Sequence, residues 1–346
     1  MQKFYLCGAV LLLSINAAAQ TPNNYTVTSI VNSSQDPYLI NPWGLSRPTN
    51  ASVKENEWWA ADNGTGLSTL YYANKIGAKS LAPLIVTIPS ADGTATGSPT
   101  GTASYQNNFT FATLDGTISI WRATDKPASP GPQCAECHTT AATIMVDNSA
   151  AGASYQGLTV ATNATSGAAT YYAANANGGV EAYDATSFAP VTLPPGAFTD
   201  STIPSTYTPA GIQAIGQKIF VAYNLASGGG AGYVDAYDTN GNLLLRLQTG
   251  WFNQPWGISV APANFGAFSK AILVGNTGNG LIGAYNPSNG KFAGFLQSNG
   301  QRIALPGLWG IAFGNGNAES GPTNALYYNA GGRSQTVGVF GVISPN

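Results

Sequence analysis

The chain carries little charge and almost no histidine. Of its 346 residues, 13 are Lys or Arg, 15 are Asp or Glu and one is His, so the formal net charge is −2. This composition forms no basic stripe for a phosphate backbone, which excludes nucleic acid as an expected partner. Because His138 is the single histidine, a Ser-His-acid arrangement cannot assemble elsewhere in the chain.

Long apolar runs are lacking beyond the N-terminus. Lys3 precedes an apolar stretch over residues 4–15, and residues 17–19 are three alanines, which is the pattern of a signal peptide over residues 1–19. A membrane anchor is the alternative, but the run is shorter than the roughly 20 residues needed to span a bilayer. We therefore expect an exported protein, periplasmic or extracellular, with no membrane span after signal removal.

One sequence motif occurs six times: a turn that ends in glycine is followed by an apolar strand. The six repeats begin with Asn41–Leu45, Pro99–Gly101, Tyr155–Leu158, Pro209–Ile212, Gln254–Ile258 and Leu308–Ile311. Within each unit, period-two apolar runs are separated by Gly, Asn, Asp and Pro, which indicates several short strands. A repeat of about fifty residues with this content is typical of a β-propeller.

The last unit predicts how the ring closes. Its third strand, Val337–Ile343, is followed by no fourth strand, whereas the strand-like run Tyr25–Val31 precedes the first unit without a partner. Pairing of these two segments would remove an exposed edge. We predict an all-β fold, a six-bladed β-propeller over residues 20–346, closed by an N-terminal strand that completes the last blade. Separate β-sandwiches are disfavoured because each unit is too short for its own core.

Four segments carry a resemblance to a known family. They are Asn41–Leu45, Trp59–Gly66, Asn253–Gly266 and Leu308–Gly316. On these motifs the chain resembles an uncharacterised family of exported bacterial propellers with repeats similar to the NHL and YWTD types. The resemblance implies the propeller fold and export, and it implies no reaction.

Repeat geometry predicts a candidate site at one mouth of the central channel. In an antiparallel blade, the turn before the innermost strand and the end of the second strand lie on the same face. The candidate ligand-binding residues there are Trp43, Asn63, Thr113, Asn175, Asn224, Trp256, Asn276, Trp309 and Asn329.

These residues allow several roles. The amides could line a pocket for a polar ligand or hold Ca²⁺ in the central channel, although Asp62 and Asp115 are the only acids nearby. Alternatively, each Asn closes its own turn. The tryptophans could present flat faces to a sugar or a peptide, or they could pack between neighbouring blades.

A second motif lies in a Pro-rich insert over residues 126–140, between the third and fourth strands of the second blade. It reads Cys134-Ala-Glu-Cys137-His138, the attachment signature of c-type haem. The insert offers little apolar surface for a haem, and Met145 is the only nearby residue that could serve as the second axial ligand of the haem iron. A local disulfide between Cys134 and Cys137 and a transient metal site are the alternatives.

Three functions remain open from the sequence. The first is a noncatalytic binding or scaffolding module for a polar ligand, a glycan, a peptide or a cell-surface partner, without a cofactor. The second is a metal-assisted hydrolase or lyase at the channel mouth, which rests on architecture alone. The third is a c-type haem electron-transfer protein that uses Cys134, Cys137 and His138. Scarce carboxylate pairs and histidine favour binding over catalysis.

Overall fold

A computed structural model describes residues 22–126 and 139–346. This part of the chain is almost entirely strands and turns, and its helical pieces are three short 3₁₀ segments, Gly77–Ser80, Ser149–Ala151 and Gly266–Phe268. No helix among these residues has the length and hydropathy needed to cross a membrane. The all-β prediction is confirmed.

The strands form six antiparallel sheets that are arranged as the blades of a propeller. The first strand, β1, spans Tyr25–Asn32. The first blade consists of β2 (Pro42–Ser46), β3 (Trp58–Asp62), β4 (Leu67–Tyr71) and β5 (Leu81–Thr87). The second consists of β6 (Pro99–Tyr105), β7 (Asn108–Thr113), β8 (Thr117–Trp121) and β9 (Thr143–Asp147). The third consists of β10 (Tyr155–Thr162), β11 (Ala169–Asn175) and β12 (Gly179–Asp184). The third blade has only an isolated bridge, Tyr183 to Pro190, in place of a fourth strand.

The remaining blades follow the same order. The fourth blade consists of β13 (Tyr207–Ile215), β14 (Lys218–Leu225), β15 (Gly232–Asp238) and β16 (Leu243–Arg246). The fifth consists of β17 (Pro255–Val260), β18 (Ile272–Asn276), β19 (Ile282–Tyr285) and β20 (Phe292–Phe295). The sixth contains β23 (Leu308–Phe313), β24 (Leu326–Ala330) and β25 (Val339–Pro345). A small hairpin, β21 (Gln297–Ser298) with β22 (Gln301–Arg302), follows the fifth blade.

The N-terminal strand completes the sixth blade. β1 pairs antiparallel with β25, from Tyr25 opposite Pro345 to Asn32 opposite Val339. The Tyr25 hydroxyl also donates a 3.0 Å hydrogen bond to the carbonyl of Phe265 in the fifth blade. The predicted closure of the ring is therefore confirmed.

The recurring glycine lies inside the innermost strand rather than at the end of a turn. Each innermost strand has a bulge in its pairing at or beside this glycine. A Cβ on any of the six would collide with the backbone of the next blade, and the last of them would meet the carbonyl of Trp43 in the first blade. The six are Gly44, Gly101, Gly157, Gly211, Gly257 and Gly310. Close approach of neighbouring backbones, rather than an unusual φ, therefore requires glycine here.

Apolar side chains fill the spaces between blades. Because successive strand residues point to opposite sides of a sheet, Trp58 and Trp59 serve two different interfaces. Trp59 stacks on Phe109 of the second blade, with ring centroids 3.9 Å apart, whereas Trp58 lies 4.9 Å from Tyr327 of the sixth blade. Each interface buries large aromatics of this kind, which supply most of the apolar area of the core.

The disc has two faces, which differ in the strand ends they present. On the tryptophan face, marked by Trp43, Trp256 and Trp309, the innermost strands begin. On the arginine face, marked by Arg47, they end and continue into the loops that lead to the second strands. Antiparallel pairing also places the link between β8 and β9 on the arginine face.

Candidate functional site

Three indole rings meet at the centre of the tryptophan face. Trp43 and Trp309 stack with ring centroids 3.7 Å apart and an interplanar angle of 15°. Trp256 meets Trp309 edge-on at 5.8 Å. The three are only 7 to 9% exposed and cluster with Ala210. This aromatic plug, Trp43 with Trp256 and Trp309, lies where the first, fifth and sixth blades meet. Its rings pack against those of neighbouring blades, as one of the two alternatives predicted, and they do not form a flat exposed platform.

Hydrogen bonds fix two of the rings. Trp256 Nε1 donates to the carbonyl of Gln156 across the ring at 3.0 Å, and Trp309 Nε1 donates to Asn41 Oδ1 at 3.0 Å. Trp43 Nε1 is buried without a hydrogen-bond partner among the described residues. The Trp256 bond therefore links the fifth blade to the third, the Trp309 bond links the sixth blade to the first, and the indole N–H of Trp43 has no described acceptor.

Strand pairing gives some of the predicted ring residues a common position. They lie directly opposite the residue that stands two positions before the repeat glycine, as in the pairs Tyr155 with Asn175 and Pro255 with Asn276. The residues at this position in four blades are Asp62, Thr113, Asn175 and Asn276. In the first blade the equivalent side chain is therefore a carboxylate and not an amide.

The other predicted amides are offset by one residue. Asn63 follows the equivalent position in the first blade, Asn224 follows it in the fourth, and Asn329 precedes it in the sixth. A shift of one residue turns a strand side chain to the opposite side of its sheet. The structure thus does not bring the six predicted polar residues into one ring.

Two of the amides close turns at the start of the innermost strand. Asn175 Oδ1 accepts hydrogen bonds from the backbone N–H groups of Ser154 and Asn177, both at 3.0 Å. Asn276 Oδ1 accepts from the N–H of Asn253 at 3.1 Å. These oxygens are occupied by the backbone, as expected for Asn in turns.

Two other amides join neighbouring blades. Asn63 Nδ2 donates to the carbonyl of Pro99 at 3.2 Å, and Asn329 Nδ2 donates to the carbonyl of Gly44 at 2.9 Å. Asn63 also accepts a 3.3 Å bond from Asn41, so a chain of amides runs from Trp309 through Asn41 to the second blade. Most of the predicted amides therefore have structural contacts, and ligand binding by them stays a prediction.

A cavity opens beside the aromatic plug. This mouth cavity has a volume of about 240 Å³ and is lined by neutral polar side chains and by two rings of the plug. The lining side chains used below are Gln156, Asn224, Gln254, Trp256, Thr277 and Trp309. A groove of about 540 Å³ adjoins it between the fifth and sixth blades and carries Arg333.

The first blade has a buried carboxylate behind this face. Asp62 is fully buried, and its Oδ2 accepts from the N–H and the hydroxyl of Thr69 at 3.1 and 2.7 Å. Tyr71 donates to Asp36 at 2.7 Å in the same network. Burial raises the pKa of Asp62 well above its usual value, which favours the protonated acid.

Asp62 and Asp115 are the two acids near this face. Asp62 accepts from Thr69 through Oδ2, whereas its Oδ1 is buried without a hydrogen-bond partner among the described residues. Asp115 Oδ2 accepts from the N–H of Ser98 at 2.8 Å. In the described ranges, no group of three or more His, Cys, Asp or Glu side chains could hold a metal ion. Hard cations such as Ca²⁺ need several free oxygen ligands with negative charge.

The insert joins the second blade on the arginine face. Its ends are held together by the N–H of Thr139, which donates to the carbonyl of Asp125 at 3.1 Å. Cys134, Cys137 and His138 lie outside the described residues, so haem attachment and a disulfide stay predictions. Met145 is partly buried against the interface of the second and third blades, and Arg122 Nη2 lies 3.9 Å from its sulfur.

Sequence reasoning missed several residues that the fold brings to the channel. Gln254 and Thr277 reach the mouth cavity from the turns before β17 and after β18. Gln254 begins the motif of the fifth repeat, but neither residue was among the predicted site residues. Arg47 lines the opposite end of the channel and has no counterpart in the other repeats. The signal available for Arg47 was its isolation: it is the first cation after Lys3 and follows an innermost strand.

No family model matches the chain. Among curated proteins, it is 26% identical over 308 residues to the uncharacterized protein R648 of Acanthamoeba polyphaga mimivirus, covering 84% of this chain and 72% of that protein. It is likewise 26% identical over 323 residues to the uncharacterized protein L690 of the same virus, with 86% and 79% covered. These relatives are viral rather than bacterial, and their functions are not established.

Two solved structures are similar to this chain. A protein of unknown function from Bacteroides thetaiotaomicron has a TM-score of 0.56 at 9% identity, with 92% of this chain and 76% of that chain covered. The Dos1 propeller has a TM-score of 0.46 at 10% identity, with 84% and 74% covered. The similarity at this level of identity concerns the fold alone.

Proposed function

We propose that this protein is a noncatalytic binding module that takes a neutral, hydroxyl-rich ligand, the end of a glycan, in the mouth cavity. The lining combines amides and hydroxyls with the edges of Trp256 and Trp309. Sugars present both hydroxyl groups and apolar ring faces, and protein sites for them combine polar groups with aromatic surface. The volume suits one sugar unit rather than a long chain.

The observation that carries this proposal is a pair of unpaired polar atoms in the lining. Asn224 Oδ1 and Thr277 Oγ1 are buried and have no hydrogen-bond partner within the described ranges. An unsatisfied buried group costs about 1 to 3 kcal/mol. A ligand hydroxyl that donates to Asn224 and another that pairs with Thr277 would remove this cost, so the cavity is prepared for a ligand with several hydroxyls.

A cavity lining without charged side chains supports binding over catalysis. Its lining contains no Asp, Glu, His, Lys or Arg, so it offers no general acid or base. A charged ligand would lose its hydration there without gaining a counter-ion. Arg333 lies in the adjoining groove and could contact a further unit of a longer glycan.

The test is a screen of neutral mono- and oligosaccharides followed by calorimetry on two variants. Thr277→Val keeps the shape and removes the hydroxyl, so we expect affinity to fall about threefold to tenfold, the effect of one hydrogen bond. The unfolding free energy of the ligand-free variant should stay the same or rise, because an unsatisfied hydroxyl is removed. Asn224→Ala should weaken binding at least as much.

Thr28→Val is the matched control, because Thr28 lies on β1 at the outer edge of the sixth blade. It should leave affinity unchanged. A glycan whose affinity is equal in wild type, Thr277→Val and Asn224→Ala would place the binding site elsewhere, and the absence of any neutral glycan ligand would contradict the proposal.

We also propose export with removal of residues 1–19, on the strength of Lys3, the apolar run and the three alanines. N-terminal sequencing of protein made in a secreting host should find a mature chain that starts near Gln20. Mass spectrometry of the same preparation, with and without reduction, should show a gain of about two daltons if Cys134 and Cys137 form a disulfide. A haem absorption band would instead favour covalent haem.

A further inference from the structure

The central channel is open at the arginine face, opposite the aromatic plug. The cavity there has a volume of about 380 Å³ and is lined by residues of all six innermost strands. Ser46, Thr102, Thr159 and Ser259 bring hydroxyls to it, and Gln213 brings an amide. No carboxylate is among the lining residues. The cavity therefore mixes these polar groups with apolar side chains such as Leu45, Ile258 and Phe313. Arg47 is its single charged side chain.

Arg47 is held in place at the wall of this cavity. Its Nε and Nη2 donate to the carbonyl of Phe313 at 2.9 and 2.7 Å, and its Nη1 donates to the carbonyl of Pro48 at 3.1 Å. The guanidinium lies over the ring of Trp58, 5.3 Å from the centroid. Arginine has five N–H donors, so two remain for a further acceptor in a fixed orientation.

The charge of Arg47 has no protein counter-ion. Among residues 22–126 and 139–346, no carboxylate lies within 4.0 Å of its nitrogens, whereas Arg246 pairs with both Asp200 and Asp235. Burial lowers the pKa of Arg47 to about 10, so the side chain stays charged at neutral pH. A partly buried cation without a counter-ion is costly, and a bound anion would offset that cost.

Several polar side chains of the cavity wall can still donate or accept further hydrogen bonds. Ser46 and Thr102 share a 3.0 Å hydrogen bond, and Thr159 accepts from the N–H of Ala214 at 2.9 Å. Because Thr159 accepts from the backbone, its own proton remains available. Gln213 donates to the carbonyl of Ala214 at 3.2 Å and retains its amide oxygen as an acceptor. The wall thus suits a ligand with several hydroxyls.

We propose that the open end of the channel binds a small hydroxylated carboxylate, such as a sugar acid, with the carboxylate on Arg47 and the hydroxyls on the ring of polar side chains. One cation matches one negative charge. A phosphate monoester would bring a second charge into a cavity that has no second cation, and its burial would be costly. A carboxylate also fits the planar, two-donor geometry of guanidinium. This site is separate from the mouth cavity, since the aromatic plug lies between them.

The experiment measures binding of gluconate to the whole protein by calorimetry and by the shift in melting temperature. Glucose serves as the neutral comparison, inorganic phosphate as the dianionic comparison, and sodium chloride at equal ionic strength as the comparison for simple anions. We expect millimolar or tighter binding of gluconate, with a stabilising shift that glucose, phosphate and chloride do not match. Equal shifts with chloride, or no gluconate binding at millimolar concentration, would overturn the proposal.

Variants test the role of the guanidinium. Arg47→Lys keeps the charge but loses the two-donor geometry, and Arg47→Met removes the charge while keeping an apolar contact with Trp58. We expect Arg47→Lys to weaken gluconate binding several-fold and Arg47→Met to weaken it more than about tenfold, the loss of a charged hydrogen bond. Arg302→Met is the matched control, because Arg302 also lies over an aromatic ring, Phe295 at 4.7 Å, but outside the channel.

A second wall residue keeps the proposal testable if the Arg47 variants do not fold. Gln213→Ala lies in the fourth blade, across the channel from Arg47, and should weaken gluconate binding about threefold to tenfold without altering glycan binding at the mouth cavity. Unchanged gluconate affinity in both Gln213→Ala and Arg47→Met would overturn the assignment. Loss of neutral-glycan binding in Thr277→Val with gluconate binding intact would separate the two proposals.

Discussion

The two ends of the central channel are lined by different kinds of side chain. At the tryptophan face, Trp43, Trp256 and Trp309 pack together and are less than a tenth exposed. At the arginine face, the same six strands leave a cavity with polar and apolar side chains in its wall and with one cation, Arg47, that has no carboxylate partner among the described residues. The glycine ring lies close to the aromatic end, where neighbouring backbones approach most closely. The comparison teaches that repeated positions supply the framework of both ends, since the position two residues after the repeat glycine brings Ser46, Thr159, Gln213 and Ser259 to the open cavity. Only the charge of the open end comes from an unrepeated residue, Arg47.

The largest expected effect comes from breaking the glycine ring. Gly211→Ala places a methyl group against the carbonyl of Trp256 in the next blade, and neither backbone can retreat without moving its own blade. We expect a loss of more than about 4 kcal/mol in the unfolding free energy, measured by urea denaturation.

Gly216→Asn is the control for this change. Gly216 has φ of 60° with no atom within 4 Å of an added Cβ, and Asn tolerates that conformation. Its cost should stay below about 1 kcal/mol. Equal losses in the two variants would mean that close blade approach does not explain the repeated glycine.

Removing one ring of the plug should open the closed end. Trp309→Ala deletes the stack on Trp43 and leaves Asn41 without its indole donor. We expect the unfolding free energy to fall by about 3 to 5 kcal/mol, as for other large aromatic deletions in cores.

The matched control is Trp251→Ala, because Trp251 is 41% exposed and stacks on Phe292 outside the channel. It should cost clearly less than Trp309→Ala in the same urea experiment. Similar costs would show that the plug is no more important for stability than a surface aromatic pair.

A smaller effect concerns Asp62, which holds at the closed end the position that Asn occupies in two other blades. Its pKa is raised by burial, so its contribution to stability is largest below the unfolded-state pKa and is lost as the pH rises through the folded-state pKa. Asp62→Asn removes this dependence. We expect the variant to be more stable than wild type near pH 8, by a margin that becomes smaller near pH 5.

Urea unfolding at the two pH values measures this difference. The control is Asp92→Asn, because hydrogen bonds from Ser90 and Thr94 lower the pKa of Asp92 to about 2. It should produce no gain at the higher pH. A loss of stability in Asp62→Asn that is equal at both pH values would contradict a pKa raised by burial.

The smallest expected effect is at the open end. Arg47→Met removes a partly buried cation that has no carboxylate partner, which is favourable, but it also removes the hydrogen bonds to the carbonyls of Phe313 and Pro48. Because the two effects oppose each other, ligand-free stability should change by only about 1 kcal/mol. Arg246→Met provides the contrast, because it leaves the fully buried Asp235 without its cationic partner. This variant should lose about 3 to 5 kcal/mol in the unfolding free energy. A large loss in Arg47→Met, measured by the same urea experiment, would indicate a structural rather than a ligand-directed arginine.

The architecture could be predicted from sequence because it depends on repetition. Six glycines at similar spacing and an unpaired segment, Tyr25–Val31, were enough to predict the blade count and the closure. The role of the glycines was not visible, since the sequence shows a turn signal but not the neighbouring backbone. Likewise, the common position of Trp43, Trp256 and Trp309 in the repeat predicted their face but not that the three rings would meet one another.

The candidate site was harder to predict for two physical reasons. A one-residue difference in strand register separates Asn63, Asn224 and Asn329 from Asn175 and Asn276, and register is not evident when every strand ends in similar residues. Arg47 and Thr277 occur once each, so no repeat marks them. Their environment depends on burial and on missing partners, which only the folded chain shows.

The pairing of β1 with β25 has a consequence for how the protein is made. A ribosome releases Tyr25–Asn32 early, yet its partner Val339–Pro345 is translated more than 300 residues later. At ordinary rates of synthesis the first strand waits about 15 to 60 s. During that interval its hydrogen-bonding edge is open to other nascent chains, so we expect the yield of native protein to depend on chaperones that shield this segment until translation ends.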